Sequence, residues 1–234
     1  MSGSPQPVNE NRLLATLSVE EYELLAPHLK PVSLSLSEIL FRPEDYLERV
    51  YFLTTSIVSL LTELSDGNGM EVGLVGSEGM VGVSAILGGS ETKVATVQAP
   101  GEALTMKTEK LREEFNRGGV FQNALLRYTH ALMTQISQSV VCTARHSIDG
   151  RMARWLLMYH DRAEGDEFEL THEFMSNMLG VRRAGVSEVA HQLQELGFIS
   201  YQRGHIRILD RKGLEEFACE CYPVIKKKFD DFLP

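Results

Sequence analysis

The chain has 234 residues, of which 43% are hydrophobic and 24% charged, and its formal net charge is −9. That length accommodates two domains of ordinary size, each with its own core. The composition excludes a disordered chain. No apolar run approaches the roughly 18 residues of a membrane span, and three cysteines (Cys142, Cys219, Cys221) are too few and too unevenly placed for a disulfide framework.

Only the opening MSGSPQPV reads as a loose tail, and it lacks the charged-then-apolar pattern of a secretory signal, so a cytoplasmic location is expected by elimination. Residues 9–29 carry a short helical pattern, with Leu13, Leu14 and Leu17 followed by Ser18 as a cap before Val19-Glu20-Glu21 and the apolar Leu24, Leu25 and Leu29. From about 32 to 108 the texture changes to short β-like runs, among them VSLSLSEI, VYFLTTSIVSLL, EVGLVG, KVATVQA and EALTMK, with a hairpin loop at 65–69. Many short strands between Gly-rich breaks predict a small antiparallel barrel or jelly roll. Six of the 19 glycines fall between Gly73 and Gly89. Such a loop turns barrel corners or cradles an anion with its N–H groups, and corner geometry is the simpler reading. Without a Lys-Ser/Thr ending it is no P-loop.

From about 108 to 145 a long helix is expected, with Phe121, Leu125, Tyr128, Leu132, Ile136 and Val140 recurring at three- and four-residue steps. An apolar stripe of that length needs a partner surface. The barrel covers part of it, and a second copy of the helix in a two-fold dimer covers the rest. Gln135 and Ser139 interrupt a strict heptad. Ile148-Asp149-Gly150 is the expected hinge into a further amphipathic helix, residues 148–162, whose Met152, Trp155, Leu156 and Tyr159 face a core.

Residues 171–209 are the most informative stretch. A helix opens at Thr171, a usable N-cap, and buries Phe174, Met178 and Leu179 before Gly180 turns the chain. In a second helix, 183–196, Val186, Val189, Ala190, Leu193 and Leu196 gather on one side. Arg183, Ala184, Ser187, Glu188 and His191 gather on the other, and Gly197 follows as the stop. Phe198–Tyr201 and His205–Leu209 read as strands joined by a tight Arg203-Gly204 turn. Helix, turn, helix and wing is a winged helix-turn-helix, whose second helix lies in the DNA major groove with its N-terminal residues nearest the bases. Similar units also serve as protein-interaction modules, so the pattern alone leaves both open. The tail adds one more helix (Leu214, Phe217, Ala218) and a basic run, Lys226–Lys228, read as a solvated face.

Charge is distributed unevenly. Residues 1–149 hold 11 Lys/Arg against 18 Asp/Glu, whereas 171–212 hold six Lys/Arg against four acids. Affinity for phosphates depends on the local face, so an acidic remainder predicts modest non-specific binding rather than none.

This order of segments, with Leu170-Thr171 through Gly180-Val181 to Leu196-Gly197-Phe198-Ile199 and with Gly79-Met80-Val81-Gly82 in the barrel, resembles the Crp/Fnr family of bacterial transcription regulators over nearly the whole chain. The resemblance implies an α+β chain: a cyclic-nucleotide-binding-like antiparallel jelly-roll barrel with flanking helices over 1–108, a long dimerisation helix and hinge over 109–147, and a winged helix-turn-helix domain over 148–234. The implied partners are double-stranded DNA at a promoter operator, a second copy of the chain and an unknown small-molecule effector. RNA polymerase is a further candidate, and no membrane, cofactor or metal is called for. The family's cyclic-nucleotide binders hold the ribose with a Glu and the phosphate with an Arg followed by Ser/Thr. Here Met80 and Lys93-Val94 stand at those positions, which removes the carboxylate, the bidentate fork and a hydroxyl. Gly79, Met80, Val81, Gly82, Lys93 and Val94 thus mark a candidate effector pocket that does not suit cyclic AMP. Residues 1–40 contain no cysteine, unlike the iron–sulfur branch.

The expected DNA contacts are Thr171, Arg182, Arg183, Ser187, Glu188, His191, Arg203 and His205. Arg183 matches the first Arg of the family's recognition helix, while Ala184 and Glu188 depart from its pattern. Arg182 stands where the family tends to place a capping Ser or Thr. Gly185 costs up to ~1 kcal/mol of helix stability and implies a close approach to the first helix. The dimer interface is expected along Phe121, Leu125, Tyr128, Leu132, Ile136 and Val140. The alternative is a constitutive DNA-binding regulator with a ligand-free barrel. A cupin-like metalloenzyme is disfavoured because residues 32–108 hold no histidine. Redox control through Cys219 and Cys221 is disfavoured because alternate residues on a helix point apart, leaving inert buried thiols.

Overall fold

The computed structural model describes residues 11–65, 69–231 and 233. The tail and the tip of the 65–69 loop lie outside them. The chain separates into two compact units: residues up to 58, 75–131 and those from 229 form one, and 59–74 with 132–228 form the other. No described helix is long and apolar enough to cross a membrane.

The first unit opens with a 3-10 turn at Leu14–Thr16 and helix α1 (Val19–Leu25), capped as expected by Ser18, whose Oγ accepts from the Glu21 N–H at 3.3 Å. Strands β1 (Lys30–Leu34), β2 (Ile39–Phe41) and β3 (Arg49–Leu53) follow; β4 (Ile57–Glu63) and β5 (Gly69–Val75), neighbours in one sheet, belong mostly to the second unit. The short β6 (Met80–Val81), helix α2 (Ser84–Leu87), and strands β7 (Val94–Ala99) and β8 (Gly101–Lys107) complete the barrel strands. An antiparallel sheet runs β1-β8-β3-β6, with Val50 opposite Met106 and Phe52 opposite Leu104 and Met80. Val50 and Phe52 are fully buried and Tyr51 between them is not, the alternation that the pleat dictates. In a second pairing β2 lies against β7. Asn11 is wholly buried and locks the N-terminal segment down, its Nδ2 donating to the carbonyls of Leu53 (2.7 Å) and Gly79 (2.8 Å).

Helices α3 (Thr108–Asn116) and α4 (Gly119–Arg145) follow. The expected stripe on α4 is present, but Phe121, Leu125, Tyr128 and Leu132 are buried within the chain itself. Tyr128 seats the helix, donating from its hydroxyl to the Met80 carbonyl at 2.8 Å. Gly79 lies directly beneath its ring: an added Cβ would fall 2.2 Å from Tyr128 Cε2. Ile136 is half-buried and Val140 exposed. The apolar row left in solvent is Leu126, Met133 and Val140, at successive seven-residue steps.

In the second unit, the chain breaks at His146-Ser147, so Ile148, Asp149 and Gly150 already form the first turn of α5 (Ile148–His160) rather than a hinge. Every residue of α5 from Gly150 to Tyr159 is buried. Trp155 packs near Tyr159 and Phe174, yet is more than filler: its Nε1 donates to Glu71 Oε1 at 2.9 Å, while the Ser59 hydroxyl donates to Glu71 Oε2 at 2.7 Å. Strand β9 (Glu167–Glu169), helices α6 (His172–Leu179) and α7 (Arg183–Glu195), strands β10 (Ile199–Gln202) and β11 (His205–Ile208), and helices α8 (Arg211–Phe217) and α9 (Cys221–Asp230) follow. The sheet order is β10-β11-β9, so the wing gains a third strand that its two-run pattern did not announce. The tail holds two helices where one was expected, and Lys226–Lys228 lie on the second.

Candidate nucleic-acid interface

Helix α6 starts where its chemistry says it should. Thr171 is extended, and its Oγ1 accepts from the Phe174 N–H at 3.1 Å. The helix ends at Gly180, whose φ of 62° is the left-handed conformation that closes a helix, with Val181 N–H returning to the Ser176 carbonyl at 3.0 Å. Met175, Met178 and Leu179 are buried, and Phe174 is half-buried against Trp155 rather than fully enclosed.

Helix α7 follows after three residues, Gly180, Val181 and Arg182. Val186, Val189, Ala190 and Leu193 form its buried face, as the periodicity requires; Leu196, placed on that stripe by the sequence, is instead the C-cap residue and 49% exposed, because the helix has already ended. Gly185 does approach a neighbour closely, but that neighbour is Ile148 of α5, not α6: a Cβ would sit 3.0 Å from Ile148 Cδ1. The helix N-terminus is uncapped, since Arg182 is extended and contributes no side-chain cap. A helix of this length with free N–H groups and two arginines beside them is a strong attractor for an anion.

Arg182, Arg183, Ala184, Glu188 and His191 are all exposed on this helix or at its start. Among the described residues Arg182, Arg183, Arg203, Arg207 and Glu188 make no ion pair, whereas His191 Nε2 lies 3.3 Å from Glu195. Ser187 is less available than its neighbours. Its hydroxyl contacts the Arg183 carbonyl at 3.1 Å and His172 Nδ1 at 2.8 Å. His172 in turn stacks on Tyr201, with ring centroids 4.2 Å apart and planes 17° apart. A single polar chain, Ser187–His172–Tyr201, therefore joins α7, α6 and the wing. Burial, then the charge of Arg183, hold the His172 imidazole below its usual pKa, favouring the neutral ring. His172 was missed in the sequence because its partners lie 15 positions away or on another element.

The wing is held by the Tyr201 N–H donating to Gln194 Oε1 at 2.8 Å. Its turn uses Arg203 (φ 51°) and Gly204 (φ 89°), two successive positive-φ residues of the kind that suits a two-residue hairpin. Gly204 O accepts from the Leu170 N–H at 2.7 Å, which sets the wing tip beside Thr171. Arg203 and His205 are exposed there. The structure thus brings Thr171, Arg182, Arg183, Glu188, His191, Arg203 and His205 to the surface of one helix-turn-helix and wing, with Ser187 half-covered.

The barrel loop is built differently from an open anion cradle. Met80, Val81 and Val94 are buried, and Gly82 turns the chain at φ 104°. Glu91 is also buried. Its Oε1 takes the backbone N–H groups of Thr92 (2.9 Å) and Lys93 (3.3 Å) and lies 3.8 Å from Lys93 Nζ, while its Oε2 takes the Ser84 hydroxyl at 2.9 Å. The donors beside Lys93 are therefore engaged by an internal carboxylate.

Comparison with known proteins accords with both units. A cyclic nucleotide-binding domain model matches residues 31–117, and a Crp-like helix-turn-helix domain model matches residues 150–217. The chain is 23% identical over 182 residues to the global nitrogen regulator of Nostoc sp., covering 74% of this chain and 82% of that protein. It is 25% identical over 177 residues to the transcriptional regulator SdrP of Thermus thermophilus, covering 73% and 84%. The solved structure of FixK2 from Bradyrhizobium japonicum shares the fold, with a TM-score of 0.68 at 18% identity over 82% of this chain and 98% of that one.

Proposed function

The chain belongs to the Crp/Fnr family of DNA-binding transcription regulators, which are not enzymes, and on that premise we propose that it acts as a homodimer reading a near-palindromic operator through α7. The observation that carries this is the uncapped N-terminus of α7 with Arg182 and Arg183 exposed and unpaired among the described residues. Arg183 takes a guanine through O6 and N7, a contact worth roughly 1–3 kcal/mol of discrimination. Arg182, Thr171, Arg203 and His205 meet phosphates on either side, fixing register without reading sequence. Glu188, with no arginine to neutralise it, accepts from a cytosine amino group, so the half-site departs from that of relatives with Arg at that position. His191 lies one turn further along the same face. Ser187 orders this surface through His172 more than it reads a base.

Two-fold pairing runs along α4. Its exposed Leu126, Met133 and Val140 repeat every seven residues, so the same row on a second copy can cover them. Dimers of this kind place two recognition helices about one DNA turn apart.

Cyclic AMP is not the effector. Met80 offers no carboxylate to a ribose, Val94 no hydroxyl to a phosphate, and Glu91 already occupies the backbone donors beside Lys93. That occupancy favours, as a second reading, a barrel that needs no ligand for DNA binding. Either the barrel responds to an effector of different chemistry through Gly79–Gly82 and Lys93, or DNA binding is constitutive.

The test is selection of bound duplexes from a random pool with purified protein, beside the Arg183→Ala variant. A two-fold-symmetric motif that relaxes at one position per half-site in the variant is expected. An unchanged motif would remove Arg183 from base readout, and calorimetric binding of cyclic AMP would overturn the reading of the barrel.

A further inference from the structure

Three cysteines and a histidine, far apart in sequence, converge at one end of α4. Cys142 lies in the last turn of α4 and His146 directly after its end, where the His146 N–H still donates to the Cys142 carbonyl at 3.0 Å. Cys219 lies in the link between α8 and α9, and Cys221 is the first residue of α9. That link is not helical, so the expectation that Cys219 and Cys221 point apart fails. Cys142 Sγ lies 3.4 Å from Cys219 Sγ, Cys221 Sγ lies 3.5 Å from His146 Nδ1, and all four donor atoms fall within 4.8 Å of one another.

We propose that Cys142, His146, Cys219 and Cys221 form a binding site for a single tetrahedral, thiophilic divalent metal ion, with Zn2+ the best match. Metal–sulfur bonds of about 2.3 Å and metal–nitrogen bonds of about 2.0–2.1 Å place the corners of such a tetrahedron roughly 3.5–3.8 Å apart, close to the spacing seen. An iron–sulfur cluster holds its ligands on different irons and spreads them further. A disulfide needs the sulfurs at about 2.05 Å and would leave Cys221 and His146 without a role. Three thiolates and an imidazole are soft donors that select zinc-like ions over magnesium or calcium.

The surroundings suit the ion. Helix α5 fixes the Cys219 backbone in place, the Cys219 N–H donating to the Gly150 carbonyl at 3.2 Å. His146 turns Nδ1 inward and Nε2 outward, where Glu220 Oε1 lies 3.7 Å away, the outer carboxylate that orients a ligating imidazole. Three thiolates on a divalent ion carry a net charge of −1, and α5 supplies buried cations nearby. Arg154 and Arg151 are both buried, and the Nε of each lacks a hydrogen-bond partner.

The experiment is titration of the reduced, metal-free, full-length protein with Co2+, read by the visible bands of tetrahedral cobalt and by thiolate-to-metal charge transfer, then displacement by Zn2+. One cobalt per chain, lost in Cys142→Ser and Cys221→Ser, is expected. Because either variant could fail to fold, His146→Cys provides a second arm: it should keep one cobalt and gain charge-transfer intensity from a fourth thiolate. A folded, fully reduced protein that takes up no cobalt overturns the proposal, as does a tetrahedral signal that survives Cys221→Ser or fails to intensify in His146→Cys.

Discussion

The carboxyl of Glu71 should titrate near neutrality and report itself through the chain's single tryptophan. Burial pushes its pKa from the ordinary 4.5 up to about 7, against the opposing hydrogen bonds from Ser59 and Trp155 and the charges of Arg154 and Arg162. A folded-state pKa above the unfolded one means that the native protein holds the proton where the unfolded chain has released it. The stabilisation is complete below about 4.5 and is lost as pH rises through about 7. A shift of about 2.5 units, at 1.36 kcal/mol each, amounts to about 3 kcal/mol between mildly acidic and mildly alkaline solution. Glu71→Gln keeps an acceptor for the Trp155 indole and removes the charge. It should therefore be about 3 kcal/mol more stable than the parent well above pH 7 and nearly equal to it near pH 4.5. Urea unfolding followed by Trp155 emission over this range measures both quantities, since Trp155 Nε1 lies 2.9 Å from the titrating group. A native emission that does not change through neutrality, or one whose midpoint persists in Glu71→Gln, would refute the reasoning.

Gly79→Ala should destabilise the first unit by roughly 1–3 kcal/mol, because its Cβ would meet the Tyr128 ring at 2.2 Å; Gly79→Ala with Tyr128→Leu should recover part of the loss in thermal unfolding. Ser187→Ala leaves His172 Nδ1 without its neighbour at 2.8 Å and should cost about 1 kcal/mol in denaturant unfolding, with weaker DNA binding if the α6–α7 link orders the surface. Met133→Glu with Val140→Glu places charges on the exposed row of α4 and forfeits roughly 1.5–3 kcal/mol per apolar side chain, so sedimentation should show dissociation to monomers. A dimer unaffected by that pair would move the interface off this row. The low pKa of His172 means that protonation works against the folded arrangement. Stability from this group is present above about pH 6.5 and falls as pH drops from there through the folded value, a slope that His172→Gln should remove.

The helix-turn-helix was legible because its signals are local. Thr171 caps, Gly180 turns, the Val186–Leu193 stripe has the helical period and Arg203-Gly204 closes the hairpin, each within one or two turns of chain. The barrel was legible as a class from its many short strands, though not in its pairing. Strand β9 escaped because Glu167–Glu169, although it alternates exposed, buried, exposed, is only three residues long, too short for a period to show. Leu196 was misplaced because a periodic stripe does not say where the helix ends, and Gly197 terminates it one residue sooner than the pattern suggests.

The amino-acid sequence by itself determined the order of the segments and the polarity of α7. It also fixed which side chains, Met80, Lys93 and Val94, stand at the barrel positions where the family resemblance expects nucleotide contacts. Only the tertiary structure decided which of two apolar rows on α4 is already covered, because Phe121, Leu125 and Tyr128 are as hydrophobic as Leu126, Met133 and Val140 and periodicity does not name a partner. It also decided that Glu71 meets Trp155 across 84 positions and that Cys142 meets Cys219 across 77. Backbone propensity and side-chain period act over a few residues, whereas these contacts arise when whole elements pack. The chemistry of the buried carboxyl and of the thiol cluster therefore belongs to the fold rather than to any stretch of the chain.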